Sequence, residues 1–114
     1  MTQQPISQNT YIKILNLFDV SKEGMDLYLQ IYSLGTPQNK FMVNRPDLVK
    51  NLNWTIAKVD KYIKELSLKG FILPHSSSLK GGGILIQMQP REILIQKIND
   101  KIKKYQEILV LLGQ

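Results

Sequence analysis

Apolar residues fall along this chain in short periodic blocks divided by turn formers, and most of the blocks have helical spacing. Tyr11, Ile12, Ile14, Leu15 and Phe18 make one stripe, which predicts a short helix after a polar, glutamine-rich arm over residues 1–10. Ser21 suits an N-cap. Beyond it Met25, Tyr28, Leu29 and Tyr32 share a face of a second helix that runs to residue 34, with Gly35 as its left-handed stop. The apolar segment 40–44 reads as a single short strand. Pro46 presets a two-turn helix over 46–52 with Leu48, Val49 and Leu52 inward, and Asn53 tolerates the left-handed conformation that ends it. Thr55 then caps a helix over 55–69, in which Ile56, Val59, Ile63 and Leu66 are spaced 3, 4 and 3 as a core-facing stripe before Gly70 closes it.

Residues 71–73 and 84–89 read as the strands of a hairpin, joined over 74–83 by small and flexible residues with Lys80 on the tip. Pro90 can open a last helix at its first position. Along that helix Ile95, Ile98, Ile102, Tyr105, Leu109 and Leu112 recur at 3, 4, 3, 4 and 3, the alternation of a coiled-coil seam. At 1.5 Å per residue the helix would be roughly 35 Å long, too long for so small a domain to cover on every side. Ile93, Leu94 and Ile108 widen the stripe, which predicts that part of it also packs on its own domain.

This ordered set predicts a mainly α, α+β winged helix-turn-helix with a two-stranded wing and a long C-terminal dimerisation helix. Its parts are a flexible arm over 1–10, a DNA-binding domain over 11–89 and a coiled-coil helix over 90–114. The run 53–72, Asn-Trp-Thr-Ile-Ala-Lys-Val-Asp-Lys-Tyr-Ile-Lys-Glu-Leu-Ser-Leu-Lys-Gly-Phe-Ile, resembles the recognition helix and first wing strand of the MarR and TrmB families. Val59, Ile63, Leu66, Gly70 and Phe71 stand at the family core positions. Segment 21–35 is similar to the opening of TrmB proteins, and so is the wing followed by Gln89-Pro90-Arg91-Glu92 and a helix, so the resemblance covers residues 12–112. Trp54 and Ile56 are bulkier than the small polar residues common at the turn, and Asn53 stands where glycine is frequent. The resemblance implies the fold and DNA binding, without the sugar-binding effector domain of full-length TrmB proteins.

Composition narrows the classes further. The 114 residues, 43% hydrophobic and 21% charged, suit one ordinary globular domain. With no cysteine and a single histidine, His75, neither a disulfide framework nor a zinc cluster is expected, and no cofactor is implied. The polar start, and the lack of any run near ~18 apolar residues, argue against a secreted or membrane-embedded chain and for a cytoplasmic, nucleoid-associated one of prokaryotic type. The net charge of +6 favours polyanionic partners, and eight basic against three acidic residues between 36 and 89 concentrate it in the middle of the chain.

The expected partner is double-stranded DNA, bound by a homodimer. Thr55, Ala57, Lys58, Lys61, Tyr62 and Lys64 lie on the non-core faces of the recognition helix, where Lys58 and Lys61 can reach guanine edges or phosphates. Arg45 and Lys50 on the preceding helix, with Ser77 and Lys80 on the wing, are candidates for the flanking backbone. Lysine is a point charge without the fork of arginine, so phosphate contacts outweigh base reading for most of these residues. Solvated lysines are common on any helix face, and it is their coincidence with the ordered fold that gives them meaning. Trp54 reads as an apolar plug at the turn and His75 as a loop residue, while the glycines at 81–83 follow no nucleotide-binding spacing. No carboxylate pair, Ser/His/Asp set or metal cluster appears in a catalytic order, so an enzyme is not expected. Two other readings stand beside a transcriptional regulator. One is a partition or chromatin-like protein with little sequence preference, and the other is a winged helix used for protein recognition.

Overall fold

Ser7 starts the first helix, α1 (Gln8–Leu17), by accepting a hydrogen bond from Thr10 N at 3.2 Å, so part of the expected arm is helical. A computed structural model describes residues 7–34, 40–76 and 83–113 of the protein. The remaining arm, Gly35, Ser77 and Lys80 lie outside the described residues.

The second helix, α2 (Lys22–Leu34), is capped at its start by Ser21, whose Oγ accepts from Gly24 N at 3.0 Å. Its fully buried residues are Gly24, Leu27, Tyr28 and Ile31, while Met25, Leu29 and Tyr32 are half-buried. The inward face is thus rotated from the predicted one, because α2 packs on several neighbours rather than on one. Strand β1 (Lys40–Asn44) runs directly into α3 (Arg45–Leu52), and Asn53 ends that helix at φ 58°, as its chemistry predicts. Thr55 caps α4 (Ile56–Leu68) by accepting from Lys58 N at 3.1 Å, and Gly70 takes φ 80° beyond its end. Val59, Ile63 and Leu66 are buried as expected. Ile56 is not: it is 44% exposed, because the first turn of α4 projects beyond the core.

The remaining elements are β2 (Ile72–Ser76), β3 (Gly83–Met88) and α5 (Arg91–Leu111), with Pro90 at the N-cap rather than the first helical position. The sheet corrects the expected two-stranded hairpin. It is three-stranded and antiparallel in the order β1-β3-β2, with Val43 opposite Ile84 and Ile72 opposite Met88. Pro74 and His75, expected in the connecting loop, belong to β2. Proline is tolerated there because β2 is an edge strand, and the register shifts between Pro74 and Ser76. Ile84, Ile86 and Met88 of β3 point inward and close the core over Phe71, Leu66 and Tyr28.

Two contacts orient the helices. The Glu65 carboxylate of α4 accepts from Ser21 Oγ at 2.6 Å and Ser21 N at 3.2 Å, so α4 supplies a second cap to α2. Lys97 of α5 donates to the Lys69 carbonyl at 2.7 Å, at the C-terminal end of α4, with its ammonium over the rings of Phe18 (4.9 Å) and Phe71 (5.1 Å). Desolvation there holds the Lys97 pKa below its ordinary value. Leu94 is buried beside this contact, whereas Ile93 and Ile108, expected to pack on the domain with it, are exposed.

A methyl group at Gly24 would collide with Glu65 Oε1 and come within 2.8 Å of Val20 Cγ1. Gly24→Ala should therefore destabilise by about 1–2 kcal/mol despite the better helix propensity of alanine, read as a lower Tm. The Tyr28 hydroxyl is buried without a hydrogen-bond partner among the described residues. Tyr28→Phe should raise stability in urea by on the order of 1 kcal/mol, since it removes an unsatisfied donor and keeps the ring.

Candidate nucleic-acid interface

The inward stripe of α4 determines what it presents outward. With Val59, Ile63 and Leu66 in the core, Ala57, Asp60, Lys61 and Lys64 face solvent, joined at the amino end by Thr55 and Ile56. The N-terminal turn is exposed, so its backbone N–H groups and the positive end of the helix dipole lie at the surface beside the lysines.

Trp54 and Tyr62 build the shoulder of this face. Their ring centroids are 5.5 Å apart at 49°, and both side chains pack partly against the core. The expectation that Trp54 plugs the turn agrees with this packing. Lys58 lays its ammonium 4.7 Å above the indole, and Lys61 places its own 5.3 Å from the Tyr62 ring centroid. Both lysines are thereby held against a rigid aromatic base, and Lys58 is half-buried as a result.

Arg45 sits differently from the lysines. Its Nε donates to Asp60 Oδ1 at 2.7 Å, and its side chain is only 15% exposed, so it ties the start of α3 to the middle of α4. Local sequence patterns carry no sign of this pairing, because the partners are separated by fifteen residues and belong to different helices. Lys50 is exposed in the last turn of α3. The described part of the candidate set is thus the continuous α4 group of Thr55, Ala57, Lys58, Lys61, Tyr62 and Lys64, with Lys50 and Arg45 on α3.

The candidate dimerisation residues form a separate surface on α5. Ile95 is 50% exposed and Leu112 74%, with Ile102, Tyr105 and Leu109 also exposed and Ile98 half-buried. Lys97 stands apart from this surface, because it anchors α5 to the end of α4. Among the described residues there is no cluster of His, Cys, Asp or Glu able to hold a metal ion, and no helix long and apolar enough to cross a membrane. The chain matches no family model, no curated protein and no solved structure.

Proposed function

We propose that the protein is a DNA-binding transcriptional regulator of the winged helix-turn-helix kind. In this reading α3 and α4 form the helix-turn-helix, and α4 enters the major groove by its amino-terminal half. The connection between β2 and β3 lies on the flanking backbone, and two copies joined through α5 address a two-fold site. The observation that carries the reading is the division of α4. One side is wholly committed to the core, while the other offers an exposed helix start with Lys58 and Lys61 backed by Trp54 and Tyr62, and Lys64 beyond them. The likeness of segment 53–72 to MarR and TrmB recognition helices supports the same assignment.

One observation also favours a protein that coats DNA with little sequence preference. The outward cations of α4 are all lysines, while the fork of Arg45 is engaged by Asp60. Point charges of this kind grip phosphates better than they discriminate base edges. Footprinting separates the two readings by whether protection is confined to one site.

Fluorescence anisotropy with duplex DNA tests the proposal. Affinity should fall steeply with salt, and the double substitution Lys61→Glu, Lys64→Glu should weaken binding roughly tenfold or more while flattening the salt slope. Binding that ignores both salt and the charge reversal excludes DNA as the partner of this face. Asp60→Asn, which removes the one carboxylate from the exposed α4 face, should tighten binding several-fold. Unchanged affinity would place Asp60 outside the DNA footprint.

A further inference from the structure

Among the described residues, the carboxyl-terminal half of α5 is the least covered. Every residue from 102 to 113 is exposed, including the consecutive apolar run Ile108, Leu109, Val110, Leu111 and Leu112. At 100° per residue five consecutive positions go fully round a helix, so this tip is apolar on all sides. Together with this tip, Ile95, Ile102 and Tyr105 are each at least 46% exposed, so α5 presents a contiguous apolar surface of the kind that marks an interaction site.

We infer that the occupant of this surface is the α5 helix of a second copy, lying antiparallel. The inference rests on the dimer of the proposed function and adds its orientation and register. In the register it assigns, Ile95 packs against the partner's Leu112, Ile98 against the partner's Leu109 and Ile102 against the partner's Tyr105, with each layer repeated by symmetry.

Two features distinguish this arrangement from a parallel pair. The first is the layer at Tyr105. Side by side in parallel, Tyr105 would face the partner's Tyr105, setting ring against ring in one layer. Antiparallel pairing sets each ring against an isoleucine, the alternation that fills a seam without voids or strain. The second is Ile108. It lies on the stripe of Leu94, Lys97 and Lys101, the residues that face the domain body: Leu94 is buried, and Lys97 and Lys101 hold their ammonium groups over Phe18. An antiparallel pair has its two-fold axis perpendicular to the helices, so both domain bodies lie on one side of the pair. Ile108 of each copy then meets the body of the other. In a parallel pair both tips would extend past both bodies into water.

The flanking positions suit this register as well. Lys101 lies beside the partner's Ile108 and Asn99 beside the partner's Gln106, so no like charges oppose across the seam. The two Leu94 anchors come about 28 Å apart along the pair.

The absence of cysteine from the sequence makes disulfide trapping a clean test. Ile95→Cys and Leu112→Cys are prepared separately, mixed, allowed to exchange and oxidised. The expected result is a cross-linked dimer containing one chain of each kind, with little cross-linking of either variant alone, because like positions are about 26 Å apart in this register. Ile98→Cys with Leu109→Cys repeats the test one layer inward, with circular dichroism verifying that each variant is folded. Self-cross-linking of the single variants overturns the antiparallel orientation, and so does a folded dimer in which neither mixture cross-links. Sedimentation of the unmodified chain distinguishes the deeper failure, since a monomer at all concentrations removes the dimer of the proposed function itself.

Discussion

The carboxylate of Glu65 occupies the position on which the arrangement of helices depends. It reaches from α4 to the start of α2, where it receives both the amide and the hydroxyl of Ser21, while that same hydroxyl accepts from the amide of Gly24. Helix starts leave N–H groups without intrahelical partners, and here one acidic side chain satisfies part of that demand from another helix. The contact is close enough that a methyl group at position 24 would displace the carboxylate. Because it fixes α4 against α2, it also fixes the azimuth of α4, and with it which side chains of that helix are free to meet a partner.

The features legible in the sequence were those governed by local chemistry. Thr55, Asn53 and Gly70 mark boundaries through caps and left-handed residues, and the structure places all three at helix ends. The features hidden from the sequence depend on what lies across space. Ile56 continues the periodic stripe of α4, yet periodicity cannot show that the first turn overhangs the core. The pairing of β1 with β3 joins residues some forty positions apart, so a local reading finds the strand and the hairpin but not their union in one sheet. Pro74 reads as a breaker until the strand containing it is known to be an edge.

The candidate interface was partly legible for the same reason. The exposed lysines of α4 follow from helical spacing once its core face is identified. The engagement of Arg45 by Asp60 and the aromatic support beneath Lys58 follow only from packing. The place of Lys97 likewise follows only from packing. By charge and spacing it resembles its neighbours Lys101, Lys103 and Lys104, yet it lies against Phe18 and Phe71 at the end of α4. The consequence is a link between the long helix and the end of the helix that carries the basic face, made by this ammonium beside the buried Leu94.

The irregular edge of the sheet has a consequence for how copies of the chain meet. An open edge strand is a template onto which another chain can add indefinitely. Here Pro74 lacks an amide hydrogen, and the register shift beside it bends the strand, so β2 makes a poor template. Growth is thereby obstructed at this one of the sheet's two edges, the other being β1. The proline that obscured a strand in the sequence thus blunts the edge on which that strand lies.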